Sequence, residues 1–134
     1  MFVDASAIVA ILTREPDADR LADWLEAAEA PITSPIAVFE AALALCRKRQ
    51  TSVEEAGREV GRFIAIAGLS VVPVTDREAE AALDAFSRYG KGRRHRAQLN
   101  LGDCFAYAMA KNHRKRLLFT GDDFSRTDIE SAAG

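Results

Sequence analysis

An α/β fold with a mainly parallel central sheet is what this sequence predicts, on three observations. Short β-prone runs, "FV" at 2–3, "PIT" at 31–33, "LSVVPVT" at 69–75 and "RLLFT" at 116–120, are spread along the whole chain. The stretches between them carry helical periodicity, the pattern of crossover connections and not of hairpins. A chain of 134 residues, 49% hydrophobic and 28% charged, suits one compact domain, residues 1–134. Such a domain buries roughly two-thirds of its unfolded surface.

Taken in order, "MFVDAS" begins with the β-prone Phe2-Val3 and turns helical through Ile8 and Leu12, with Ser6 as its expected N-cap. Pro16 suits the first turn of a second helix, "EPDADRLADWLEAAEA", which places Leu21, Trp24, Leu25 and Ala28 on one face. Ser34-Pro35 is a helix start of cap followed by proline, and the helix it opens, "PIAVFEAALALCRKRQ", is apolar almost all round. That composition predicts extensive burial. "TSVEEAGREVGRFIAIAG" opens on a capping box, Ser52 with Glu55, and ends near Gly68. "LSVVPVT" is the clearest strand, "DREAEAALDAFSRYG" returns to helix, and "KGRRHRAQ" is a basic loop. A helix containing "LNLGDCFAYAMA", the extended "RLLFT", a turn at "GDDF" and a short polar tail complete the chain. No repeat, low-complexity run or dividing linker interrupts it.

Composition excludes several classes. No apolar run reaches the ~20 residues of a membrane span. The N-terminus has no basic region ahead of its apolar run, so a cytoplasmic protein with no membrane partner is expected. Cys46 and Cys104 lie in apolar helical patterns and read as small hydrophobes, not a disulfide. With only two histidines, a zinc site has little to build on. The net charge of −2 hides an uneven distribution. Residues 1–46 carry eight acids against two basic residues, whereas residues 91–116 carry eight Lys or Arg around a single acid, Asp103. A local basic surface of this kind attracts phosphate whatever the total charge.

The acids are the informative residues. Asp4 follows the first predicted strand, and Asp122 and Asp123 follow the last, at the strand ends where parallel sheets build their sites. Glu40 shares a helix side with Ile36, Phe39 and Leu43, where a carboxylate is costly unless paired, protonated or bound to a cation. Arg47, two turns on, is too far for the favoured helical ion pair. Asp103 alone would read as a helix cap, but it shares a side with Ala106, Tyr107 and Ala110. Asp4, Glu40, Asp103 and Asp122 can converge on one end of the sheet, where a divalent cation would relieve their repulsion. Oxygen donors without Cys or His select Mg²⁺ or Mn²⁺. Such an ion activates water for in-line attack on a phosphodiester. Lys91, Arg93, Arg94 and Arg96 are the candidates for holding RNA beside it. His95 and His113 lie among basic residues and read as surface groups, which argues against a histidine-based, metal-free ribonuclease.

The motifs "FVDASAIVAIL", "SPIAVFEAALAL", "LNLGDCFAYAMAK" and "LLFTGDDFSRTDI" occur in the order of the PIN domain. The chain resembles this family over essentially its full length, and more narrowly the VapC-type toxins of bacterial toxin–antitoxin pairs. The resemblance implies a three-layer α/β/α sandwich and a Mg²⁺- or Mn²⁺-dependent endoribonuclease. It further implies a homodimer, and inhibition by a cognate VapB-type antitoxin whose C-terminal segment covers the active-site groove. It assigns the catalytic and metal-binding acids to Asp4, Glu40, Asp103 and Asp122, with Ser6, Thr120 and Asp123 as supporting residues and Asp123 able to share or take the fourth place. Two other readings compete. One is a non-catalytic, receiver-like or RNA-binding module whose acids hold a metal. The other is an aspartyl phosphatase acting through Asp4, for which the second acid of D-x-D is replaced by Ser6.

Overall fold

The computed structural model describes residues Met1–Gly134. Four two-residue strands, β1 (Phe2–Val3), β2 (Ile32–Thr33), β3 (Ser70–Val71) and β4 (Leu117–Leu118), form an all-parallel sheet in the order β3-β2-β1-β4. The helices are α1 (Ala5–Leu12), α2 (Ala18–Ala27), α3 (Pro35–Arg49), α4 (Val53–Ala67), α5 (Asp76–Tyr89) and α6 (Leu101–Asn112). A short 3-10 helix, Phe124–Arg126, follows β4.

Alternation along the strands divides the core into two layers. Phe2, Ile32 and Leu117 point to the side covered by α5 and α6, where they meet Ala82, Tyr107 and Met109. Val3 and Leu118 point to the side of α1 to α4, against Ile8, Leu21, Leu45 and Val60. This is the expected three-layer α/β/α sandwich. No helix is long and apolar enough to cross a membrane.

Local signals set most of the boundaries. Ser34 Oγ accepts the Ala37 N–H at 3.1 Å with proline at the first helical position, as the sequence predicts. Ser52 Oγ caps α4 through the Glu55 N–H at 3.1 Å, and α4 ends on Gly68 with φ +68°. Cys46 and Cys104 are both free thiols.

Four expectations need correction. The N-cap of α1 is Asp4, with Ser6 inside the first turn. Pro16 lies outside α2 and not in its first turn, because Asp17 is the cap and the helix begins at Ala18. The run at 69–75 pairs only through Ser70–Val71 and the Val72 N–H, 2.9 Å from the Thr33 carbonyl; Pro73 has no N–H to continue the ladder. Finally, α3 buries only Ala37, Ala41 and Leu45, while Phe39 is 64% exposed. One stripe of α3 meets the core and the adjacent apolar stripe lines an open cleft.

The polar tail is also more ordered than its composition suggests. The Leu117 N–H donates to the Glu130 carbonyl at 2.9 Å and the Ala132 N–H to the Leu117 carbonyl at 2.8 Å. Those two bonds cover the free edge of β4, which would otherwise expose unpaired backbone groups.

Candidate active site

Asp4 leaves β1 and starts α1, and it is 5% exposed. Its Oδ2 accepts the Ser6 N–H at 3.0 Å and the Ser6 hydroxyl at 2.6 Å. Burial raises the carboxyl above its ordinary range, the Ser6 hydrogen bonds oppose this, and the charge of Asp123 adds to it. Ser6 Oγ also accepts the Thr120 N–H at 3.2 Å, and the Thr120 hydroxyl bonds to Asp17. A chain of polar contacts thus joins the end of β1 to the loop after β4.

Asp103 caps a helix and lines the cleft as well. Its Oδ2 accepts the Asn100 N–H at 3.1 Å while Asn100 Oδ1 accepts the Asp103 N–H at 2.9 Å, a reciprocal capping box at the start of α6. The side chain also lines the cleft. Its carboxyl is pushed up to about 6, mainly by burial, with the Asn100 bond opposing and the charges of Asp4 and Asp123 adding.

Glu40 reaches the same place from α3. Its carboxylate lies against Gly102 in the first turn of α6, where even a methyl group would overlap both oxygens. Burial, then the charges of Asp4 and Asp103, raise its pKa to about 7.

Of the two acids after β4, Asp123 is the one whose charge acts on Asp4 and Asp103. Both residues are exposed, and the Asp122 backbone carbonyl accepts the Ser125 hydroxyl at 2.7 Å. The structure therefore brings Asp4, Glu40, Asp103, Ser6 and Thr120 to one cleft, while Asp122 and Asp123 both lie exposed on the loop after β4, outside its lining.

The cleft is open and has a volume of about 560 Å³. Ile36, Phe39, Leu43 and Leu101 make its apolar wall, and Glu15, Arg47 and Lys48 lie in its lining. The six ion pairs of the molecule all involve other acids, so no Lys or Arg neutralises Asp4, Glu40 or Asp103. A buried Asp4 beside half-buried Glu40 and Asp103, mutually repelling and in no ion pair, suits a divalent cation. No three Asp, Glu, His or Cys side chains converge tightly enough to share one ion directly. An ion held by one or two carboxylates and several waters fits instead, which is the habit of Mg²⁺.

The basic candidates occupy the connection between α5 and α6, and Lys91, Arg93, Arg94 and Arg96 are all exposed. Arg93 and Arg94 join Arg88 and His95 around a second, wholly polar cavity. Gln98 stiffens this loop, accepting the Gly92 N–H at 3.0 Å and donating to the carbonyls of Arg93 at 3.0 Å and His95 at 2.6 Å. Arg96 is held through its carbonyl, which accepts from Arg126 Nη1 at 3.3 Å. Sequence reasoning missed Arg88, Gln98 and Asp17. Only Arg88 had a signal there, its place beside the basic run.

The raised carboxyls give a direct stability prediction. Folded Glu40 and Asp103 hold protons at pH values where the unfolded chain has released them. Their contribution is fully present below about pH 4 and is lost as pH rises through about 6 to 7. In EDTA, the Tm is expected to rise as pH falls from about 8 to about 5.5, and Glu40→Gln should flatten that slope. A wild-type Tm independent of pH over this window would show that burial and neighbouring charge do not raise Glu40 and Asp103 in the folded state.

Comparison with known proteins agrees with this architecture. The family model that matches, over residues 1–130, is the PIN domain. Ribonuclease VapC30 of Mycobacterium tuberculosis is 42% identical over 133 residues, covering 99% of this chain and 98% of that protein. Ribonuclease VapC of Mycolicibacterium smegmatis is 42% identical over 129 residues, covering 96% of this chain and 97% of that one. The chain belongs to the PIN-domain family and, within it, to the VapC ribonucleases. Ribonucleases of this family depend on a divalent metal ion. Two solved structures share the fold. The sarcin-ricin loop cleaving toxin VapC20 of M. tuberculosis has a TM-score of 0.73 at 20% identity, covering 96% of this chain and 95% of that one. A toxin–antitoxin complex from Klebsiella pneumoniae has a TM-score of 0.67 at 18% identity, covering 95% and 92%.

Proposed function

We propose that this chain, acting as a single domain of residues 1–134, is the Mg²⁺- or Mn²⁺-dependent endoribonuclease toxin of a cytoplasmic toxin–antitoxin pair. The observation that carries the reading is the convergence of Asp4, Glu40 and Asp103 in one open cleft, none of them in an ion pair. Asp4 and Asp103 would hold the ion together with bound waters, and the fourth acid would act from the loop after β4, where the charge of Asp123 reaches both aspartates. When bound, the ion supplies Lewis acidity to the attacking water and to the scissile phosphate. Ser6 fixes the Asp4 carboxylate by two hydrogen bonds, so the ligand needs little reorganisation. Glu40, beside both aspartates, accepts the proton that the attacking water releases at Oε. Lys91, Arg93, Arg94 and Arg96 hold the flanking RNA backbone.

Partner binding belongs to the same reading. Phe39 and Leu101, 64% and 69% exposed at the cleft, suit the cognate VapB-type antitoxin, whose C-terminal segment would cover the groove. Leu83 and Phe86, exposed on α5, offer apolar surface for a homodimer.

The test is cleavage of end-labelled RNA by the purified chain with Mg²⁺, Mn²⁺ or EDTA. Metal-dependent cleavage leaving 5′-phosphate and 3′-hydroxyl ends is expected. Products ending in 2′,3′-cyclic phosphate, or RNA binding with no cleavage by highly purified protein, would overturn the reading.

A further inference from the structure

The cleft continues past the carboxylates. From Glu40 it follows one face of α3 through Leu43 and Ala44 to Arg47, the positions that a helix stacks above one another. Seven residues of helix separate Glu40 from Arg47, roughly 10 Å along the axis. Three cations end this helix, and two are already engaged. Lys48 Nζ pairs with Glu15 at 3.1 Å, while Arg49 Nη2 donates to the Leu12 carbonyl at 2.7 Å and pairs with Glu59 at 2.9 Å. Arg47 is exposed, lines the cleft and has no ion-pair or hydrogen-bond partner.

We infer that Arg47 forms a phosphate subsite for the RNA strand, gripping a non-scissile phosphate next to the one cut at the carboxylate end of the cleft. This rests on the ribonuclease reading given above. The planar guanidinium presents paired donors that match two phosphate oxygens, and an unpaired arginine pays no cost of breaking a resident bond. The separation along α3 is one that a neighbouring phosphate of the same strand can bridge. An RNA strand uses both ends of the cleft, one phosphate at the ion and another at the guanidinium. An acidic protein segment would meet one free cation and the repulsion of several carboxylates. The subsite lies on α3, apart from the basic loop between α5 and α6, so the strand is held at two separate points.

The test compares wild type, Arg47→Ala and Arg47→Lys in Mg²⁺ on one oligoribonucleotide of mapped cleavage position. Arg47 is exposed, and an unchanged Tm confirms that each variant folds. Loss of one charge-assisted contact is expected to lower kcat/KM about tenfold in Arg47→Ala. The loss should fall on KM and leave kcat in place, because the contact is made equally before and during reaction. The salt dependence of binding should weaken by about one phosphate contact, and lysine should restore part of the affinity. Oligonucleotides carrying one neutral methylphosphonate are then cut in turn. A single flanking position should exist at which neutralisation removes the difference between wild type and Arg47→Ala.

Equal cleavage by wild type and Arg47→Ala at every salt concentration would overturn the subsite and leave the ribonuclease reading standing. So would a difference that persists whichever phosphate is neutralised, or a variant that cleaves normally but no longer binds the antitoxin. If the wild type itself cleaves no RNA with either metal, both readings fall.

Discussion

Asp4→Asn is expected to cleave RNA at least about a hundredfold more slowly than wild type while remaining folded, the scale set by losing one preorganised charged group from a site. Asparagine keeps a carbonyl oxygen where Asp4 Oδ2 accepts from the Ser6 N–H and hydroxyl, and it caps helices as well as aspartate does. What disappears is the negative charge that an ion requires. The same change removes one of the charges raising Glu40 and Asp103. The variant in EDTA should therefore be more thermostable than wild type near pH 8, and metal should raise its Tm less. Measuring kcat/KM and Tm together separates the roles. Unchanged cleavage would make Asp4 a cap and nothing more, and lost cleavage with a lower Tm would point to a folding defect.

Gly102→Ala is expected to lose cleavage by about ten- to a hundredfold while losing little stability, because small displacements at a reacting centre are costly to rate. The added methyl would occupy the place of the Glu40 carboxylate. That carboxylate ends a flexible side chain, so it moves aside and the backbone does not. Alanine is also the better helix former in the first turn of α6, by up to about 1 kcal/mol. Activity and stability should thus separate, the reverse of what a packing defect produces. Adding Glu40→Ala to Gly102→Ala should cost almost nothing more, since the two changes remove the same group from the same place. Additive losses would show that Gly102 serves some purpose other than making room for Glu40.

The elements of this fold were readable where one short stretch of chain decides the outcome. Ser34-Pro35 starts α3 because a cap and a proline act within a single turn. Asp4 could be placed at a strand end from Phe2-Val3 alone, and Glu40 stood out as a charge on an apolar helix side. Contacts between distant segments were not readable. Nothing local connects Gly102 with Glu40, or Thr120 with Asp17. Asp122 and Asp123 are neighbours in a turn, and which of them faces the site depends on a backbone path that includes Gly121 at φ +91°. The exposure of Phe39 was hidden for another reason. Periodicity identifies an apolar stripe without saying whether the core or an open cleft lies against it. Capping a helix and lining the cleft are compatible at Asp103 because a carboxylate has two oxygens, and the capping box needs only one.

The polar chain from Asp4 through Ser6 to Thr120 has a consequence for how the protein is made. β1 emerges first from the ribosome, yet its sheet partner β4 and the amide that Ser6 accepts come from near the other end of the sequence. A nascent chain carries Asp4 and Glu40 long before it carries the segment that fixes them in place. The carboxylate cleft is assembled only after Thr120 has been translated and has left the exit tunnel.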